Sequence, residues 1–195
     1  SDNNCKENLL NTFTRHTNNM IIWIPSTTFW SPENIQRVWA RGLEINSQYI
    51  KIFNQFNSGL TIKSTYTKAT NLEQISPLDK SKDKQIIYTP LYTGFYAAFV
   101  SWKNNQITIN QEFQSKQFTN RDNSQYLDGF SILNVRLSKQ IILDKSIWNI
   151  GINLNNILGQ DYQLSLGWPM PRQNFLQEST LSRSAGSSSS KFNDP

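Results

Sequence analysis

The chain has 195 residues, of which 37% are hydrophobic and 17% charged, with a formal charge of +5. Asn, Gln, Ser and Thr supply 74 of the residues, which argues against a helical bundle and against a doubly wound parallel sheet, whose strands are apolar on both faces. The abundance of Phe, Tyr and Trp argues against disorder, the single cysteine excludes a disulfide framework or cysteine-based zinc site, and the single histidine excludes a histidine-cluster metal site within the chain.

Residues 1–9 form a polar stretch without the apolar segment of a signal peptide. Leu10 to Ile24 reads as a first strand, ending in the run Met20, Ile21, Ile22, Trp23, Ile24. Pro25 to Asn34 reads as a long link. Within it Ser31 and Pro32 fit the cap and first position of a short helical turn. Gly42 to Phe53 alternates, with Leu43, Ile45, Tyr49 and Phe53 on one face and Glu44, Asn46, Gln48 and Ile50 on the other. Leu60 to Thr70 sets Leu60, Ile62 and Tyr66 against Thr61, Lys63 and Thr65. Ile87 to Trp102 is rich in aromatics, and Ile107 to Thr119 alternates more weakly. Phe130 to Ile141 sets Leu133, Val135 and Leu137 against Asn134, Arg136 and Ser138. Ile147 to Leu158 shows the clearest alternation: Trp148, Ile150, Ile152 and Leu154 against Asn149, Gly151, Asn153 and Asn155. Phe175 to Ser182 is a short, poorly patterned eighth strand. Residues 183–195, with Gly186 and four serines after it, read as a flexible tail.

Links two, four and six (Asn54 to Ser58, Lys103 to Asn105, Leu143 to Lys145) are short. Links one, three, five and seven (Pro25 to Asn34, Asn71 to Gln85, Asn120 to Asp128, Gly159 to Asn174) are long. Strict alternation gathers the long loops at one end of an all-β, antiparallel up-and-down meander. That asymmetry, with strands longer than the usual soluble length, is the pattern of an outer-membrane β-barrel. A soluble sandwich also alternates, but here the polar face is mostly Asn, Gln, Ser and Thr, suited to a crowded hydrated lumen. Trp23, Trp30, Trp39, Tyr92, Trp102, Trp148 and Tyr162 lie near strand ends, where an interfacial girdle would sit.

Little in the chain points to catalysis. His16 would have to serve any Ser-His-Asp triad, and no G-x-S-x-G elbow exists. Glu44 and Glu112 lie on polar faces of strands not adjacent in sequence. Cys5 lies in a polar stretch, and Lys80, Lys82 and Lys84 are interleaved with Asp79 and Asp83, a solvated loop rather than a nucleic-acid patch. No phosphate-cradling glycine loop or metal-ligand spacing appears. The expectation is a protein that is not an enzyme and takes no cofactor, metal or nucleic acid.

Three stretches resemble the C-terminal part of TonB-dependent outer-membrane receptors, especially the cobalamin- and siderophore-receptor-like members of the Bacteroidetes. The first is Asn19 to Pro25, followed by Trp30-Ser31-Pro32-Glu33-Asn34-Ile35 and Arg41-Gly42-Leu43-Glu44. The second is Tyr88-Thr89-Pro90, then Phe118 to Asn123, then Leu127-Asp128-Gly129-Phe130. The third is Asn153 to Tyr162, then Pro169-Met170-Pro171-Arg172-Gln173-Asn174-Phe175. The resemblance implies a partial transmembrane barrel over residues 10–182, the last eight strands of a 22-stranded barrel, with the long loops extracellular. It implies outer-membrane lipid as surroundings, a plug and further strands elsewhere, TonB acting through that plug, and a small-molecule ligand such as a siderophore, metal chelate or cobalamin. Arg172 and Gln173 stand where the family has Gly and Arg, and the last strand lacks the family's closing aromatic. Within the long loops, Trp30, Arg121, Tyr126, Trp168 and Arg172 are the expected ligand contacts, because aromatics give rigid contact area and arginine grips carboxylate or phosphate. Two rival readings remain: a complete eight-stranded structural or adhesive barrel, and a soluble all-β glycan-binding module.

Overall fold

The computed structural model describes residues 3–25, 29–74, 76–143 and 146–183. Eight long strands pair in chain order as one antiparallel sheet: β1 (Asn3–Pro25), β2 (Trp30–Phe53), β3 (Phe56–Asn71), β4 (Tyr92–Trp102), β5 (Asn105–Gln114), β8 (Phe130–Leu143), β9 (Ser146–Asn155) and β12 (Asn174–Arg183). Two small ribbons lie in the loops: β6 (Gln117–Phe118) with β7 (Tyr126–Leu127), and β10 (Gln163–Ser165) with β11 (Trp168–Pro169). Among the described residues β1 pairs only with β2, and β12 only with β9, so the barrel is not closed.

The short connections are two-residue hairpins. Phe53 pairs with Phe56 around Asn54-Gln55, and Trp102 pairs with Asn105 around Lys103-Asn104. Asn54 and Lys103 take φ of 52° and 51°, the positive backbone angle such turns need. At the opposite end, residues 72–91, 115–129 and 156–173 join β3 to β4, β5 to β8 and β9 to β12.

The structure corrects the first link. Residues 30–34 are strand, and the pairing of β1 with β2 continues to Pro25 opposite Trp30. No helical turn forms at Ser31-Pro32. Beyond Val38, which pairs with Asn71, β2 has a partner on one side only, the edge setting in which a strand tolerates proline. Only three of the four expected long links are therefore long. Further strand limits also move. β1 already starts at Asn3, so the polar stretch ahead of Leu10 is strand, paired with residues 46–52 of β2. Residues 87–91 belong to the β3–β4 loop, where Tyr88 has a φ of 51° and Pro90 lacks an N–H. β5 stops at Gln114, and the polypeptide turns into β6. The tail beyond Arg183 lies outside the described residues.

Registers place every alternating set on a single face. Ile45 is opposite Leu10, Leu60 opposite Tyr49, Ala98 opposite Leu60, Ile109 opposite Ala98, Val135 opposite Ile109 and Leu154 opposite Val135. This outer face is apolar yet open, with Val100 53% and Ile107 52% exposed. An apolar band running across the whole sheet far exceeds the patches a soluble monomer exposes. Phe53, Phe56, Trp102 and Trp148 edge the band at the hairpin end; Trp39, Tyr66 and Tyr92 edge it at the loop end. Tyr162 does not join the girdle: its ring packs on Phe130 at 4.6 Å.

The inner face is largely polar, with its buried apolar cluster at the loop end. There the β3–β4 loop folds back so that Ile86 and Ile87 cover Val38, Ala69 and Ile22. Ile22 reaches this cluster because Asn19, with a φ of 53°, interrupts the alternation of β1. Upstream of it, odd-numbered residues such as Phe13 face inward; beyond it Met20 and Ile22 do, while Ile21 and Trp23 are exposed. Asn is among the few residues that enter the left-handed region readily. Inward-facing glycines serve aromatic neighbours: a Cβ on Gly59 would lie 2.2 Å from the Phe99 ring, and one on Gly42 would lie 2.6 Å from Phe13.

Candidate functional site

Two features of the inner side are built for polar contact. The first is a ladder of side chains across β5, β8, β9 and β12. The Asn134 amide donates to Asn110 at 2.9 Å, Arg136 donates to Asn153 at 3.2 Å, and the Asn153 amide donates to Glu178 at 3.0 Å. Arg136 also pairs with Glu178 at 2.9 Å, and the Asn155 amide donates to Asn174 at 2.8 Å. Alternation puts these residues on one face, and the cross-strand registers bring them within reach. Neutral amides can satisfy each other in a wet lumen without the cost of burying isolated charge.

The second feature is the loop end. The β3–β4 and β5–β8 loops are clasped together. Arg121 donates to Asp79 at 3.2 Å and to Ser81 at 3.3 Å. Asn123 makes a reciprocal pair with the Gln85 backbone, accepting from its N–H at 2.8 Å and donating to its carbonyl at 2.9 Å. Tyr88 N–H donates to the Phe118 carbonyl at 2.8 Å. The β5–β8 loop is joined in turn to the β9–β12 loop, where the Gln117 amide donates to the Leu164 carbonyl at 2.9 Å. The Asp122 carboxyl is held below its ordinary range by hydrogen bonds from Ser124.

Between the last two loops lies a cleft of about 380 Å³, lined by Tyr126, Asp128, Asp161, Tyr162, Pro169 and Met170 among others. Asp161 forms a two-pronged ion pair with Arg172 across the arms of the β9–β12 loop. The guanidinium hydrogen bonds hold the Asp161 carboxyl below the usual carboxylate range, and the carboxylate raises Arg172 in return. Burial, followed by the charge of Glu112, pushes the Tyr162 hydroxyl above its ordinary value. The cleft offers aromatic faces, two carboxylates and a thioether. Among the described residues no cluster of His, Cys, Asp or Glu is arranged to hold a metal ion.

The five expected contacts fall into three places. Tyr126 lines the cleft and is half exposed, with the Lys116 ammonium 4.9 Å over its ring. Trp168 is 71% exposed on the β10–β11 ribbon, next to the cleft-lining Pro169. Arg172 borders the same region through its pair with Asp161. Arg121 is part-buried in the clasp between the other two loops. Trp30 pairs with Pro25 at the start of β2, away from the other four in the sheet order. The sequence reading missed Asp161, Gln85 and Asn123. Each acts through a partner eleven to 38 residues away, a separation no local motif encodes.

Residues 9–157 match the family model described as TonB dependent receptor-like, β-barrel. Among solved structures, the chain is similar to that of BauA, the ferric preacinetobactin receptor from Acinetobacter baumannii. The TM-score is 0.64 at 17% identity, over 91% of this chain and 27% of that one. The present chain thus spans about a quarter of that receptor's length, and at this identity the likeness is one of fold. No curated protein matches the chain.

Proposed function

Because the chain belongs to the TonB-dependent receptor-like β-barrel family, we propose that it forms the C-terminal wall of an outer-membrane receptor that imports a scarce small molecule. The observation that carries this reading is the two-faced sheet. One face is an apolar band left open from β1 to β12, and the other is a ladder of hydrogen-bonded amides and one ion pair. A lipid-facing exterior and a hydrated lumen require that division.

The whole receptor would sit in the outer membrane of a Gram-negative bacterium, with the three long loops outside. The sequence motifs favour a source among the Bacteroidetes. Its plug, the remaining strands and the TonB contact would lie outside the present segment. The half-paired β1 and β12 support the reading of a segment over that of a small closed barrel, in which they would pair with each other. The ligand class is a siderophore, another metal chelate or cobalamin, received first by the loop-end cleft. Trp30, Tyr126, Trp168 and Arg172 are the proposed contacts, and Arg121 is proposed to act by fixing the loops that frame them.

The test is uptake by whole cells that carry or lack the full receptor containing this segment. Labelled cobalamin and labelled ferric chelates are supplied with and without a protonophore. The proposal expects energy-dependent accumulation of one class, lost on deletion. Unchanged uptake of both classes after deletion would refute it.

A further inference from the structure

Just past the apolar band on the outer face, two cations stand directly opposite each other. Arg41 on β2 is in register with Lys68 on β3. Both share the parity of outward-facing Leu43, Ile45 and Tyr66. Like charges directly opposite on one face of a sheet repel. Among the described residues neither has a carboxylate partner. The nearby Glu73 is committed to Arg37, at 3.3 Å.

The surroundings hold Arg41 in place. Its guanidinium lies over the Trp39 ring, 3.7 Å from the centroid, and donates to the Trp39 carbonyl and to Thr70 Oγ1 at 3.4 and 3.3 Å. Trp39 is fixed by its indole N–H, which donates to Thr14 Oγ1 at 2.9 Å, and by His16 stacked on it at 5.6 Å. One register step toward the band, the Tyr66 and Tyr92 rings meet at 5.0 Å. Trp and Tyr settle at the level of lipid headgroups. The cation pair therefore lies at headgroup depth, at the end of the barrel that carries the long loops.

We propose that Arg41 and Lys68 bind a phosphate of a lipid headgroup in the outer leaflet, a phosphorylated glycolipid of the lipid A class. This rests on the outer-membrane placement proposed above. An anion between the two side chains turns their repulsion into two attractions. Arginine offers a planar fork to phosphate oxygens and lysine a point charge. Leu43, Ile45 and Ile62, below them on the same face, meet the acyl chains. The hairpin end of the same face shows the contrast: Lys51 there stands opposite Ser58 on one side and Asn4 on the other, with no cation directly across from it.

The experiment uses the full-length receptor that contains this segment, in detergent, with native mass spectrometry to count bound lipid. The probes are diphosphoryl lipid A, dephosphorylated lipid A and inorganic phosphate. Wild type should retain diphosphoryl lipid A, and R41Q/K68Q should retain it roughly tenfold less or worse. R41K/K68R and K51Q should behave as wild type, which separates charge from misfolding. Equal retention by wild type and R41Q/K68Q, or equal retention of the dephosphorylated lipid by wild type, would overturn the proposal. Displacement of the lipid by inorganic phosphate would also overturn it, because the site would then take any soluble anion. The readout is independent of import: a receptor that retains the lipid but imports nothing refutes the proposed transport alone, and one that imports without retaining it refutes this inference alone.

Discussion

Arg136 on β8 reaches past β9 to Glu178 on β12 at 2.9 Å, and Asn153 between them accepts from the first and donates to the second. Three strands are thus tied at one level of the inner face. The final strand, whose apolar pattern is the weakest of the eight, is held by this polar contact as well as by its backbone ladder.

That contact yields a measurable coupling. Both side chains are nearly half exposed, so solvent screens the pair and a double-mutant cycle of R136A and E178A should give about 1 kcal/mol or less. Denaturant unfolding of the full receptor measures it. Coupling should fall further in high salt. A cycle that closes to zero at low salt would remove the pair from the account of how β12 is held.

The two faces of β9 predict opposite tolerance to charge. Ile152 is outward and 43% exposed, whereas Asn153 belongs to the inner ladder. An arginine at the membrane midplane on a lipid face costs about 2–4 kcal/mol, while lumen positions accept it. Ile152→Arg should therefore lower the folded, heat-modifiable fraction in outer membranes far more than Asn153→Arg. Equal losses would argue against a membrane wall.

The Asp161–Arg172 pair predicts a pH-dependent loop. Arg172 lowers the carboxyl pKa of Asp161 in the folded protein. A depressed carboxyl contributes stability that is present above the ordinary carboxylate range and is lost as pH falls through the lowered value. Hydrogen exchange of residues 156–173, corrected for intrinsic rate, should show steady protection from neutral pH down to that range and a loss below it. In Asp161→Asn the acid step should vanish and protection should be low throughout. An unchanged profile in the variant would show that the pair does not order the loop.

The loop-end contacts predict a division of labour among the proposed residues. Tyr126→Ala and Trp168→Ala remove apolar contact at or beside the cleft and should weaken binding of the imported ligand by about tenfold, or about 1.4 kcal/mol each. Arg121→Ala should weaken it as well, but with faster hydrogen exchange in both 72–91 and 115–129, because it opens the clasp to Asp79. Binding affinities at wild-type level for Tyr126→Ala and Trp168→Ala would move the ligand site elsewhere.

Much of the fold was legible because alternation is a local signal. Trp148, Ile150, Ile152 and Leu154 announce both a strand and its outward face, and the hairpins at Asn54 and Lys103 follow from link length. The first link was misread because Ser31-Pro32 carries a helix-start signal locally, while its strand conformation comes from the long pairing with β1. The inward turn of Ile22 was hidden for a related reason: it depends on the backbone of Asn19, not on any hydrophobic pattern. The loop-end cleft was only half legible. Tyr126, Trp168 and Arg172 stood out by residue type, but Asp161 and Gln85 acquire their roles from partners distant in sequence.

The central claim is that this sheet has lipid on one side and water on the other. Its most direct measurement is a spin-label scan of residues 148–155 in the membrane-embedded full receptor, with Cys5 replaced by serine and collisions measured against oxygen and a water-soluble nickel chelate. Gly151 can take part, since a side chain there meets Arg136 and Leu137 only at 3.5 Å or beyond. The account predicts oxygen contact at 148, 150, 152 and 154 and nickel contact at 149, 151, 153 and 155. Nickel contact at all eight positions would contradict it and return the chain to a soluble sheet.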